Sequence, residues 1–214
     1  MAVQLILWDW NGTLLDDMEI SVEGLNLLLA QHGYPQRYSY QEYREIFGFP
    51  IEDYYRRAGF DFSRHPYPLL AQRYMEHYIP ASASCGLQPG ARQILAQLQA
   101  AGLRQVILSA SPLPTLRAQV EALGVGGFFE ELLGLGDIYA KSKVELGLAW
   151  LRRAGVQPGS AVMVGDSLHD AEVARALGAG CVLCSAGHQA PAALQAAGVP
   201  VLAHLGELAA FLGL

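Results

Sequence analysis

Asp9 stands just past a short apolar run, Val3 to Leu7, and is followed by Asn11-Gly12-Thr13. A carboxylate at a strand end beside a glycine-containing loop sits among free backbone N–H groups. It can serve as a nucleophile or as a ligand for a hard metal ion. A second apolar run, Gln105 to Leu108, ends at Ser109-Ala110-Ser111 and supplies hydroxyls. A third, Ala161 to Val164, ends at Gly165-Asp166-Ser167-Leu168-His169-Asp170 and adds two carboxylates. Lys141 and Lys143, the only lysines in the chain, precede a helical pattern that starts at Val144. Oxygen ligands at this density suit Mg²⁺, which takes one or two carboxylates, waters and a substrate phosphate oxygen. A lysine beside them offsets the charge gathered when a carboxylate attacks a phosphoryl group.

These residues need a scaffold that brings strand ends together. Val3 to Leu7, Gln105 to Leu108, Glu131 to Leu135, Ala161 to Val164, Cys181 to Leu183 and Val199 to Ala203 read as buried strands. Helical spacing falls between them at Gly90 to Ala101, Thr115 to Leu123, Val144 to Ala154, Asp170 to Leu177, Ala190 to Ala197 and Glu207 to Leu212. Strands alternating with helices predict right-handed βαβ units: a doubly wound, Rossmann-like α/β parallel sheet with ligands at the carboxyl ends of its strands.

Residues 17–85 break the alternation. Three helical stretches are expected: Met18 to Gln31, Tyr40 to Phe47 with Glu52 to Arg57, and Pro68 to Tyr78. Nine of the ten tyrosines and half of the arginines fall inside this stretch, and no lysine does. The shift in composition marks an inserted helical cap over 17–85, with residues 1–16 and 86–214 forming the core domain.

Of the 214 residues, 52% are apolar and 16% charged, the balance of a globular chain with surface to bury. A net charge of −6 argues against nucleic-acid or anionic-membrane partners. No apolar run reaches the ~18 residues of a membrane span. The N-terminus does not read as a signal peptide, and three cysteines do not build a disulfide framework, so a cytoplasmic protein is expected. Cys181-x-x-Cys184 lies in an apolar strand that turns residues three apart to opposite faces, which disfavours a redox or zinc pair.

Four motifs in order resemble the haloacid dehalogenase superfamily, in its phosphoglycolate phosphatase-like branch. Asp9-Trp10-Asn11-Gly12-Thr13-Leu14-Leu15-Asp16 is similar to the first, Ser109 to the second, Lys143 or Lys141 to the third, and Gly165-Asp166-Ser167-Leu168-His169-Asp170 to the fourth. The resemblance implies that Asp9 is the nucleophile and forms an aspartyl-phosphate. It implies Mg²⁺ held by Asp9, the backbone carbonyl of Asn11 and Asp166, with Asp170 supporting the metal's water shell. Thr13 belongs to the catalytic loop. Ser109 and the lysine would bind the phosphoryl oxygens of a small phosphorylated metabolite, with Ala110 and His188 beside the substrate.

The chain departs from this pattern at Asn11, where the family's phosphatases carry a second aspartate that acts as general acid and base. An amide cannot transfer that proton, a loss of roughly 10²–10⁴ in rate. Phosphonate-cleaving relatives use a cap lysine, which this cap lacks, and dehalogenating relatives carry a tyrosine at that position. What remains is a slow phosphatase, one using a substitute acid (His169, Asp16 or His188), or a non-catalytic binder of phosphorylated ligands. Asn11→Asp is expected to raise the rate. Arg37, Arg56, Arg57 and Arg64 are candidates to clamp a substrate carboxylate.

Overall fold

The computed structural model describes residues 3–136 and 143–214. Its strands are β1 (Leu5–Trp8), β2 (Leu15–Asp16), β3 (Gly86–Leu87), β4 (Arg104–Pro112), β5 (Glu131–Leu135), β6 (Ala161–Gly165), β7 (Gly180–Cys184) and β8 (Val201–Leu202). Its helices are α1 (Met18–Gln31), α2 (Tyr40–Ile46), α3 (Ile51–Arg57), α4 (Tyr67–Ser82), α5 (Ala91–Ala100), α6 (Leu113–Ala122), α7 (Val144–Ala154), α8 (Leu168–Leu177), α9 (Pro191–Gln195) and α10 (Leu208–Leu212).

Six strands form one parallel sheet in the order β5-β4-β1-β6-β7-β8. The apolar runs are continuous because both faces are covered. Ile6 and Trp8 point into a cluster with α5, α6 and α10, while Leu5 and Leu7 pack under α7 and α8. From β1 the chain winds out through β4 to β5, then returns to β6 on the other side of β1. The crevice between β1 and β6 is therefore the switch point of the sheet, where such folds bind ligands.

Helices α1 to α4 bury a third cluster of their own, in which Leu25, Leu29, Tyr43, Tyr54, Tyr55 and Leu70 are nearly inaccessible. The chain enters and leaves them through β2 and β3, a short antiparallel pair that the sequence pattern does not reveal. Two residues per strand are too few for a period-2 signal. Helix α4 runs to Ser82, beyond the expected end at Tyr78, and keeps Pro80 in its last turn.

A buried glutamine ties these layers together. Trp10 Nε1 donates to Gln119 Oε1 at 2.8 Å, and Gln119 Nε2 donates to Ser82 Oγ at 2.9 Å. One side chain of α6 thus joins the loop after β1 to the end of α4. Gln119→Leu keeps most of the volume and leaves the Trp10 N–H unpaired, at a cost of about 1–3 kcal/mol. Urea unfolding should show that loss, and an unchanged midpoint would refute the bridge.

Candidate functional site

The loop after β1 is built to hold Asp9 still. The Asp9 N–H donates to Val164 O of β6 at 2.8 Å, and the N–H groups of Leu14 and Leu15 both return to Trp10 O at 2.9 Å. Gly12 turns the loop at φ +70°, where a Cβ would overlap the Asp166 carboxylate and the His188 ring. Gly187 meets the same carboxylate from the other side and has no room for a Cβ either.

All six buried Asp, Lys and His side chains among the described residues belong to this one site: Asp9, Asp17, Lys143, Asp166, Asp170 and His188. Lys143 Nζ reaches Asp9 Oδ1 at 2.6 Å and Asp170 Oδ1 at 2.7 Å from the N-terminus of α7. The other oxygen of Asp170 accepts from Asp166 N, Ser167 N and Ser167 Oγ at 3.2, 3.1 and 2.7 Å. Asp170 therefore both caps α8 and fixes the lysine. Asp166 accepts from Thr13 Oγ1 at 3.3 Å and from His188 N at 2.5 Å, so Thr13 acts on it as a positioning residue. One ligand oxygen from each of Asp9, Asp166 and Asp170 lies within 4.8 Å of the others.

Asp17, which the sequence pattern does not single out, is the hub of the opposite wall. It stands at the N-cap of α1 without capping it. Oδ1 accepts from Gly12 N at 2.8 Å and pairs with His188 Nε2 at 3.0 Å. Oδ2 accepts from Asn11 Nδ2 at 2.9 Å and Tyr78 Oη at 2.6 Å. Asn11 Nδ2 also reaches Tyr78 Oη at 2.6 Å, and Asn11 Oδ1 accepts from Ser111 Oγ at 2.5 Å. The Asn11 amide is thereby locked between Asp17 and Ser111.

Electrostatics follow from this crowding. Burial, reinforced by Asp170 and Asp166, holds the Asp9 carboxyl well above the usual range, and Lys143 offsets only part of that. Burial also raises Asp166. The burial that would lower His188 is outweighed by Asp17, which pushes it up to about 9. Burial would raise Asp17, but the His188 charge and the Tyr78 and Asn11 hydrogen bonds hold it low. Four carboxylates face two cations, so the site lacks positive charge. An all-oxygen donor set with such a deficit fits a hard divalent cation.

The residues expected from the sequence divide clearly. Asp9, Asn11, Ala110, Lys143, Asp166, Asp170 and His188 line one cavity. Thr13 stands behind it. Ser109 is fully buried and its hydroxyl accepts from Ser111 N at 3.0 Å, so Ser111 is the hydroxyl on the cavity wall. Lys141 lies outside the described residues. Of the three substitute acids, Asp16 is exposed on β2, and His169 stacks at 4.4 Å on Phe49, a residue of the cavity wall, without lining the cavity itself. His188 is in the cavity, but both its nitrogens are engaged, Nδ1 by Tyr43 Oη at 3.0 Å. The arginine clamp does not form. Arg56 pairs with Glu52 and Asp53, Arg57 binds Ile46 O, Arg64 covers the Tyr34 ring, and Arg37 lines a separate groove. Cys181 and Cys184 are free thiols, and burial pushes Cys181 up to about 12, which leaves it inert.

A doubly wound α/β sheet whose buried ionisable groups meet at its switch point defines a ligand-processing α/β protein. The family model for haloacid dehalogenase-like hydrolases matches residues 6–184. A phosphoglycolate phosphatase from Caulobacter vibrioides is 30% identical over 190 residues, covering 86% of this chain and 79% of that protein. One from Yersinia pseudotuberculosis is 27% identical over 220 residues, covering 100% of this chain and 94% of that protein. A haloacid dehalogenase-like hydrolase from Streptococcus pneumoniae superposes with a TM-score of 0.81 at 22% identity over 98% of each chain. CbbY from Rhodobacter sphaeroides, solved in complex with phosphate, gives 0.71 at 24% identity over 99% of this chain and 100% of that one. The two structures share the fold, and the chain belongs to the haloacid dehalogenase-like hydrolase family. No helix among the described residues is long and apolar enough to cross a membrane.

The charge deficit sets a pH dependence. His188 rises from 6.5 to about 9 on folding, so its ion pair stabilises fully below pH 6.5 and is lost as pH climbs toward 9. Asp9 is raised on folding to about 8, so its ionisation costs stability as pH rises through the same region, while Asp166, raised to about 6, acts mostly below it. The two effects have the same sign. In chelator, the melting temperature should fall from about pH 6 to about pH 9, and His188→Gln should flatten part of that slope. A melting temperature that rises over this range would contradict the charge assignment.

Proposed function

We propose that this chain is a Mg²⁺-dependent phosphatase of the cytoplasm that hydrolyses a small phosphate monoester through attack of Asp9 on phosphorus. The observation that carries the reading is the convergence of every buried Asp, Lys and His among the described residues on one cavity at the switch point. The phosphoglycolate phosphatases among its relatives support a small phosphorylated substrate. Residues 1–16 and 86–214 act as the hydrolase core, and 17–85 as the cap that excludes water over the strand ends.

Asp9, the backbone carbonyl of Asn11 and Asp166 would hold Mg²⁺, with Asp170 behind them. When bound, the ion supplies positive charge to the phosphoryl oxygens. Lys143 aims Asp9 by gripping Oδ1 at 2.6 Å and adds charge where it develops. Ser111 and the backbone at Ala110 bound the phosphoryl site, with Ser109 holding Ser111 in place. Thr13 and His188 N keep Asp166 oriented.

Asp17 changes what a substitution at Asn11 can do. A carboxylate introduced there would face Asp17 Oδ2 where the amide now donates at 2.9 Å, and two like charges would crowd one site. The pair is complementary only when one member is an amide. Asn11→Asp alone should therefore gain little, whereas Asn11→Asp with Asp17→Asn should exceed the unaltered enzyme by about tenfold or more on alkyl phosphates. A full gain from the single substitution would show that the two positions are independent. Steady-state assays of a phosphomonoester panel with and without Mg²⁺ test the whole reading, and Asp9→Asn should abolish turnover. Phosphate esters that bind without turnover across the panel would instead identify a phospho-ligand binder, the reading that the locked Asn11 amide favours.

A further inference from the structure

The cavity that holds Asp9 continues under the cap, and its character changes along the way. At the strand ends it is lined by carboxylates and Lys143. Beneath α2 to α4 it is walled by Phe47, Phe49, Ile51, Tyr54, Tyr74 and Met75. Two of the tyrosine hydroxyls are spent inside the protein, Tyr43 on His188 and Tyr78 on Asp17. What they turn to the cavity is ring surface. Among the described lining residues, the cations are Lys143, held between Asp9 and Asp170, and His188, paired with Asp17. No uncommitted cation among them awaits a carboxylate, and Asp17 would repel one. The volume is about 150 Å³. That space includes the carboxylate end, so beside a phosphoryl group it leaves room for only a small leaving group, and the apolar walls favour one without charge.

A second observation points the same way. The Asn11 amide is fixed by Asp17, Tyr78 and Ser111 and has no proton to give a departing oxygen. Both His188 nitrogens are occupied. An alkoxide leaves poorly without a proton. A phenolate, whose conjugate acid titrates near 10, leaves without one.

We infer that the preferred substrate is a phosphate monoester of a small uncharged phenol, seated with its ring among the cap aromatics and its phosphoryl group against Asp9. The inference rests on the phosphatase reading above. Asp9 forms the new bond to phosphorus. The ester P–O bond breaks with its electron pair passing to the phenolate oxygen, which takes a proton from water. Water then attacks phosphorus, releases inorganic phosphate and restores the Asp9 carboxylate.

The test compares kcat/KM for phenyl phosphate, benzyl phosphate and 2-phosphoglycolate, with acetyl phosphate as a control for phosphoryl chemistry. Benzyl phosphate keeps the ring but is an alkyl ester. Phenyl phosphate should lead, benzyl phosphate should match its KM with a lower kcat, and 2-phosphoglycolate should trail both in KM. Met75→Arg places a cation in the apolar wall and should shift preference toward 2-phosphoglycolate by about tenfold. A higher kcat/KM for 2-phosphoglycolate than for phenyl phosphate in the unaltered enzyme would overturn the inference and leave the phosphatase reading standing. Hydrolysis of none of the four, acetyl phosphate included, would remove that reading and this inference with it.

Discussion

Everything at this site depends on one buried lysine. Lys143 is fully enclosed and bonds two carboxylates that come from different strand ends. An isolated ammonium in such a place would be expelled or neutralised, and so would the carboxylates. Together they persist because each satisfies the others and because Asp170 brings three further donors to its second oxygen. The bridge fixes the rotamer of Asp9. Burial, which makes the cluster costly, is also what gives its fields their strength.

The opposite wall solves a different problem with the same means. Asp17 gathers four hydrogen bonds and thereby fills its acceptor capacity, which makes it an anchor for Asn11, Tyr78 and His188. Three of these partners come from separate parts of the chain: the loop after β1, the end of α4 and the loop after β7. Tyr78 belongs to the helical layer, and Asn11 to the sheet. The network is therefore also the polar seam along which the helices meet the strand ends, with Gln119 forming a second seam nearby. The position of the helices over the cavity is set by polar contacts with exacting geometry, while their own stability comes from an aromatic cluster that makes few demands on direction.

Such an arrangement separates two tasks that share one cavity. The strand ends supply charge and helices α2 to α4 supply apolar wall. Tyr43 and Tyr78 serve both as packing and as cavity wall, with their hydroxyls turned to His188 and Asp17. An arginine-rich composition in the same segment has no part in this. Arg56 and Arg73 sit on helix exteriors with acidic neighbours, where the charge is solvated at little cost, while Arg44 bonds Gln189 O in the loop after β7.

The sequence by itself determined the sheet, its parallel sense, the helical character of the stretch that interrupts it and the strand-end carboxylates. Buried parallel strands read as continuous apolar runs, and a catalytic loop has a fixed local spacing, so both leave a linear trace. It also placed Asp9, Asp166 and Asp170 in one group with a lysine, leaving Lys143 and Lys141 both open. Only the tertiary structure decided that Asp17 joins them, that Ser111 stands at the wall in front of Ser109, that Asp16 is exposed, and that His169 stacks behind Phe49. Asp17 looks like an ordinary helix cap in the chain, because N-cap aspartates are common and its real partners lie 61 and 171 residues away. The direction of a side chain among partners so distant depends on how whole layers pack, and no short-range pattern encodes that.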